Sequence, residues 1–169
     1  MLSHLHHDHA DGLPDLVGAP VFVSAAHWAA FGRPLQAALQ GAVPAQWPVG
    51  FVPHILEPIG PPVGPWNKSY PITEDGRVVA VDTPGHVPGH ISLLVRSDDA
   101  TYLAAGDLTY DQDLLDAEIT DGVNDDPHEA VESLRKVKEY ARQVPLVVLP
   151  AHDPHAAHRL ENAEVFVPS

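Results

Sequence analysis

Short apolar runs separated by turn-forming residues dominate the second half of the chain. Four such runs, several of them rich in β-branched side chains, occupy residues 78–81, 91–95, 102–105 and 146–149. Runs of this length, bounded by glycine, proline or aspartate, are typical of buried strands. We therefore predict a β-sheet built largely from this half of the chain.

Helical signals occur between and before these runs. Ser24 is a suitable N-cap for a helix over Ala25–Phe31, and Gly32 would end that helix. A second helix is predicted from residues 126–129, which read DPHE and match the N-cap, first and third helical positions of a capping box. An apolar stripe at helical spacing continues this pattern until Pro145. Strands and helices alternate, so the predicted fold class is mixed α/β (α+β).

The segment 41–71 follows neither pattern. It is rich in proline and glycine, which excludes a long helix, and it contains the aromatic residues Trp47, Phe51, Trp66 and Tyr70. These aromatic side chains argue against a free linker. Two interpretations stay open: a surface loop attached to the core by its aromatic residues, or an apolar rim of an active site that binds an acyl chain.

Potential metal ligands are concentrated in residues 4–9, which read HLHHDH. His4, His6 and Asp8 alternate along the chain, so an extended backbone would point all three to one side. A turn after Asp8 would direct His9 towards a second ion. Imidazole and carboxylate groups are preferred ligands of zinc and related divalent metals. The alternative, a metal-scavenging histidine-rich tail, is weakened by further ligand-type residues downstream.

These further residues flank the predicted strands. Residues 83–90 read TPGHVPGH and connect two apolar runs, which would place His86 and His90 in a turn at the sheet rim. Asp107 and His152 each follow a later apolar run. We expect His90, Asp107 and His152 to converge with the N-terminal histidine motif.

Taken together, the motifs at 4–9, 83–90, 106–107 and 151–153 resemble those of the metallo-β-lactamase superfamily of binuclear metallohydrolases, over essentially the whole chain. The resemblance implies seven metal ligands: His4, His6, Asp8, His9, His90, Asp107 and His152. One zinc ion would be held by His4, His6 and His90, and the other by Asp8, His9 and His152. Asp107 would bridge the two ions, whereas His86 would lie near the site without binding metal. The implied cofactor is two Zn²⁺, with Mn²⁺, Fe²⁺ or Co²⁺ as alternatives.

Within that superfamily the chain is most similar to the N-acyl-homoserine-lactonase-like branch. Tyr110 stands three residues after Asp107, and in lactonases of this kind a tyrosine so placed contacts the substrate carbonyl or lactone oxygen. The resemblance implies opening of lactones or carboxylic esters, N-acyl-homoserine lactone being the best guess, by attack of a hydroxide that bridges the metals. The implied catalytic residues are Asp8, Asp107 and Tyr110, with Tyr110 donating to the developing oxyanion.

Two alternative functions stay open. One is another hydrolase of the same superfamily, such as a glyoxalase-II-like thioesterase or a phosphodiesterase. The short stretch after His152 leaves no room for the glutathione-binding domain of glyoxalase II, which weakens that version. The other is a metal-binding fragment without catalytic activity.

The resemblance also implies a fold and its extent. The superfamily fold is an αββα sandwich whose N-terminal strands precede the histidine motif, whereas Met1 stands just before that motif here. We expect a single domain over residues 1–169, equivalent to the C-terminal two-thirds of an N-terminally incomplete sandwich. Such a domain would expose an apolar sheet face and strand edges, which predicts poor solubility or pairing into a homodimer.

Composition narrows the range of partners. A net charge of −14 with only nine lysines and arginines gives no basic stripe for nucleic acid. No run approaches the ~18 apolar residues of a membrane span. The absence of cysteine excludes disulfides and thiolate ligands and suits a reducing compartment. We expect a cytoplasmic enzyme that acts on a small ester or lactone.

Overall fold

A five-stranded sheet forms the centre of the computed structural model, which describes residues 1–16 and 18–169. Its strands lie side by side in chain order: β3 (Tyr70–Pro71), β4 (Val78–Asp82), β5 (Ile91–Arg96), β6 (Thr101–Gly106) and β7 (Leu146–Pro150). Neighbouring strands are antiparallel as far as β6, whereas β7 is parallel to β6. All four predicted apolar runs are therefore strands of one sheet.

Two helices lie in the connection from β6 to β7, because parallel neighbours require a long crossover. They are α4 (Gln112–Ala117) and α5 (Pro127–Ala141). The Asp126 side chain accepts hydrogen bonds from the first amides of α5, as the capping pattern predicts. Leu134 and Val137 on α5 are fully buried and belong to the same apolar cluster as the strand residues Leu94, Leu103 and Val148.

A smaller, two-stranded parallel sheet packs on the opposite face of the central sheet. It consists of β1 (Phe22–Ser24) and β2 (His54–Leu56). Leu56 contributes to a buried cluster with Tyr70, Ala80 and Ile91 of the central sheet. The helix α2 (Ala25–Phe31) follows β1 and contacts both short strands. The two packed sheets with associated helices confirm the predicted mixed α/β sandwich.

The remaining elements are short. They are the helices α1 (His7–Ala10), α3 (Pro34–Leu39) and α6 (Ala156–Asn162) and the 3₁₀ turns Leu13–Asp15 and Pro44–Gln46. None of the helices within the described ranges is long and apolar enough to cross a membrane. Val95 and Ala104, on the face of the central sheet opposite α5, are exposed.

The segment 41–71 is attached to the core by its aromatic side chains. The Trp47 and Phe51 rings lie 6.5 and 6.1 Å from the Trp28 ring of α2, and both pack against the buried cluster that contains Leu5. This packing favours the surface-loop interpretation over the active-site rim.

One end of the central sheet gathers three chain segments. Asp82 pairs with Ile91, so the 83–90 turn lies at the end where Gly106 of β6 pairs with Pro150 of β7. A bulge at Ala105 interrupts the pairing of β6 with β7. Gly106 then adopts a φ of +59°, which lets the backbone turn away from the strand direction. The turn and the residues after β6 and β7 therefore meet at one edge.

We expect Gly85→Ala to lower the free energy of unfolding by roughly 2–4 kcal/mol. Gly85 has a φ of +129°, and an added Cβ would lie 2.3 Å from the Cα of Ala130 in the first turn of α5. Urea unfolding measures the loss. The control is Gly12→Ala, where an added Cβ meets nothing within 4 Å and the expected change is within about 0.5 kcal/mol. Equal effects of the two substitutions would contradict this account.

Candidate metal centre

The N-terminal histidine motif changes conformation within six residues. His4 and His6 lie in a non-helical segment, and His6 is the N-cap of the single helical turn α1. Asp8 and His9 are on that turn, so the predicted side-by-side arrangement of His4, His6 and Asp8 along one extended segment is wrong. The helical turn directs Asp8 and His9 to a separate group of ligands.

Two groups of ligand-type side chains form at the sheet edge. The first consists of His4, His6 and His86, and the second of Asp8, His9, Asp107 and His152. Within each group, one nitrogen or oxygen atom per residue lies within 4.8 Å of the others. The structure therefore brings together six of the seven predicted ligands and adds His86 to them.

The Asp107 carboxylate lies between the two groups. Oδ1 is 3.0 Å from Nε2 of His9, and Oδ2 is 3.2 Å from Nε2 of His152. Oδ2 also lies 3.4 Å from Nε2 of His86 and 3.9 Å from Nε2 of His4. A carboxylate that approaches imidazoles of both groups is placed as a bridging ligand would be.

His86 and His90 make different contacts in the structure, although the sequence predicts His90, and not His86, as a metal ligand. His90 is fully buried and lies outside both groups; its Nε2 accepts a hydrogen bond from the Asp107 amide. The proton of His90 must then be on Nδ1, which lies 2.9 Å from Oγ1 of Thr83. Thr83 contacts Ser92, whose hydroxyl donates to the Ala105 carbonyl. Both ring nitrogens of His90 are thus occupied by the protein.

One signal in the sequence distinguishes the two histidines. His90 directly precedes the buried strand β5, where a side chain at the strand start packs inwards, whereas His86 is near the middle of the turn. Nδ1 of His86 donates a hydrogen bond to the Val123 carbonyl at 2.7 Å, because a carbonyl oxygen only accepts. Its Nε2 is left facing His6 Nδ1, 3.1 Å away, and Asp107.

The donor set fits a divalent metal. Nε2 of His4 is buried and has no hydrogen-bond partner among residues 1–16 and 18–169. Nε2 of His9 and Oδ1 of Asp107 are also buried and lie 3.0 Å apart, but they are not aligned for a regular hydrogen bond. Buried polar atoms without a partner are rare because they lose solvation without compensation. Imidazole nitrogens and carboxylate oxygens are common ligands of zinc and of other divalent first-row transition metals.

Burial also sets the protonation of the ligands. Burial, followed by the neighbouring His90, lowers the pKa of His4 far below its ordinary value, and burial beside His86 lowers the pKa of His6. Burial opposes the charge on Asp107, but the nearby imidazoles of His9, His86 and His152 together outweigh it and lower the Asp107 pKa. Neutral imidazoles and an ionised carboxylate are the forms that bind metal.

Tyr110 lies beside the second group, on its more open side. Its ring is 4.8 Å from the His152 ring, and burial, with Asp121 adding to it, raises the pKa of its hydroxyl. The side chains of Asp8 and His152 are 39% and 38% exposed, so this side of the site is accessible to a small molecule.

A family comparison agrees with this geometry. The model of the metallo-beta-lactamase superfamily matches residues 1–152, which include every member of both groups. The chain belongs to the metallo-beta-lactamase superfamily. This superfamily member is also similar to curated lactonases. It is 32% identical over 104 residues to the N-acyl homoserine lactonase AttM of Rhizobium radiobacter, covering 61% of this chain and 40% of that protein.

Further similarity extends over more of the chain. An N-acyl homoserine lactonase of a Bacillus species is 28% identical over 157 residues, covering 89% of this chain and 54% of the relative. A solved N-acyl homoserine lactone hydrolase, with N-hexanoyl-L-homoserine at its catalytic metal centre, superposes with a TM-score of 0.72 at 24% identity. That match covers 97% of this chain and 58% of the solved chain. The superfamily fold is thus shared, and the chain spans about half the length of these relatives.

After loading with zinc as the probe metal, we expect His86→Gln to lose the bound metal and His90→Gln to retain it. His86 belongs to the first group, whereas a glutamine at position 90 can still accept from the Asp107 amide. Zinc retained per chain after gel filtration, measured by elemental analysis, checks this. Full retention in His86→Gln together with loss in His90→Gln would restore the assignment expected from sequence.

We expect the metal-free protein to lose stability as the pH falls below about 6.5. Burial lowers the pKa of His27 to about 4 and that of His90 to about 3. At lower pH the unfolded chain therefore binds protons at these histidines that the folded chain does not bind. Each of the two histidines lowers the free energy of unfolding by about 2 kcal/mol at pH 5. His9 opposes the trend, since its pKa is raised by Asp107 despite burial.

Urea unfolding in EDTA at pH 7.5 and pH 5 measures this difference. His90→Gln should reduce the pH dependence by about 2 kcal/mol, whereas His128→Gln, at an exposed position of α5, should leave it unchanged. A pH dependence that is the same in all three proteins would contradict the assignment.

Proposed function

We propose that this protein hydrolyses lactones or related carboxylic esters with two zinc ions, N-acyl-homoserine lactones being the preferred substrate class. The observation that supports this most is the Asp107 carboxylate between two groups of imidazole and carboxylate ligands. Superfamily membership and the similarity to N-acyl homoserine lactonases support the same reaction class.

We assign His4, His6 and His86 to one ion and Asp8, His9 and His152 to the other, with Asp107 shared between them. Mn²⁺, Fe²⁺ and Co²⁺ are alternatives at the same donors. A structural neighbour with a TM-score of 0.58 was solved in a di-iron-bound form. When bound, such ions lower the pKa of water towards neutrality and polarise a carbonyl oxygen.

The protein's own residues handle protons and substrate orientation. Asp107, ionised at neutral pH, can accept a proton at Oδ2 on the side of His152. Asp8 is the second carboxylate on this side, with Oδ2 at 3.4 Å from Nε2 of His152. The raised pKa of Tyr110 keeps its hydroxyl protonated, so that it can donate to the oxygen that becomes negative during attack on the carbonyl.

Turnover by the purified, zinc-loaded chain tests the proposal. Opening of N-hexanoyl-homoserine lactone, followed as acid release, is the expected result, with about two zinc ions per folded chain. Cleavage of a thioester or a phosphodiester but not of lactones would move the protein to another hydrolase of the superfamily. A folded chain that binds no divalent metal would overturn the proposal.

We expect Tyr110→Phe to lower kcat for lactones about 10–100-fold, since one neutral donor to an oxyanion is worth roughly 1–3 kcal/mol. Its zinc content should equal that of the wild type, because Tyr110 belongs to neither ligand group. Tyr102→Phe, on strand β6, is the matched control and should leave kcat unchanged. Full activity of Tyr110→Phe would show that this hydroxyl does not contact the reacting oxygen.

A further inference from the structure

His27 is a fully buried histidine on α2 that belongs to neither ligand group. Its Nε2 accepts a hydrogen bond from the Leu5 amide at 2.9 Å. Its Nδ1 lies 2.9 Å from the carbonyl oxygen of Pro88. Because an amide only donates and a carbonyl only accepts, the ring is neutral and carries its proton on Nδ1.

These two hydrogen bonds join the segments that carry the first ligand group. Leu5 stands between His4 and His6, and Pro88 stands two residues after His86. One imidazole ring therefore spans the two stretches of backbone whose separation determines how far apart the three ligand nitrogens lie.

The rest of α2 holds that ring in place. The His27 ring stacks on Phe31 with a centroid separation of 4.3 Å. Ser24 caps the helix by accepting from the His27 amide, and its hydroxyl donates to the Gly89 carbonyl at 2.6 Å. The start of α2 is thus bound to the 83–90 turn at two adjacent carbonyls, which makes it a rigid support for both segments.

We propose that His27 is a positioning residue that sets the separation of the His4–His6 segment from His86 and so raises the metal affinity of the first group. The inference rests on the proposed metal binding. Without His27, the buried Leu5 amide loses its acceptor and the two segments are held together only by the ligands. Loss of partners that orient ligands typically weakens metal binding about 10–100-fold.

The experiment measures zinc affinity of the metal-free protein by chelator competition, without any activity assay. The His152→Ala background weakens the second group and reports on the first, and the His4→Ala background does the reverse. His27→Phe keeps a ring to stack on Phe31 but removes both hydrogen bonds. His128→Phe, at an exposed position of α5, is the matched control.

We expect His27→Phe to weaken zinc binding about 10–100-fold in the His152→Ala background and less than about threefold in the His4→Ala background. His27→Gln places an oxygen near the position of Nε2 and should recover part of the lost affinity by accepting from Leu5. Wild-type affinity in His27→Phe, or equal loss in both backgrounds, would overturn the inference.

Two further results decide the remaining cases. If His27→Phe does not fold, His27→Gln and His27→Asn take its place, since each retains one of the two hydrogen bonds; wild-type zinc affinity in both would overturn the inference. Absence of zinc binding by the unsubstituted protein would instead overturn the proposed function, and this inference with it.

Discussion

The buried negative charge of Asp107 is the constraint on which the arrangement of the sheet edge depends. A carboxylate removed from water needs compensating partners, and four imidazole nitrogens lie within 3.9 Å of its oxygens. The bulge at Ala105 and the left-handed Gly106 turn the backbone so that this side chain reaches those imidazoles. His90 also holds the Asp107 backbone in place, because its Nε2 accepts a hydrogen bond from the Asp107 amide.

The buried histidines divide into two kinds according to what their ring nitrogens contact. In His27 and His90, both nitrogens bond to the protein. In His4, Nε2 is buried and has no hydrogen-bond partner within the described part of the chain, and in His9 the buried Nε2 faces the Asp107 carboxylate without an aligned hydrogen bond. A satisfied ring supports the backbone, whereas an unsatisfied one is suited to a ligand. Histidine therefore supports the backbone at some positions and is available as a metal ligand at neighbouring ones.

The strands and α5 could be predicted from sequence because their signals are local: β-rich apolar runs, and an Asp-Pro N-cap before an apolar stripe. The positions of the candidate metal ligands were harder to predict from the sequence. Alternation in residues 4–9 suggested an extended segment, but a helical turn begins at His7. His86 and His90 are identical residues in one turn, and only the folded contacts of His90 with Thr83 and with the Asp107 amide separate them.

The ligand groups also connect the two ends of the chain. His152 lies 3.4 Å from the carboxylate of Asp8, although almost the whole sequence separates them. In a protein without cysteine, an ion shared by these side chains would act as a cross-link, and closing a loop of this size restricts the unfolded chain by on the order of 5 kcal/mol. Bound metal would thus act as a reversible cross-link, and its removal would release the segments that carry Asp8 and His152 at the same time.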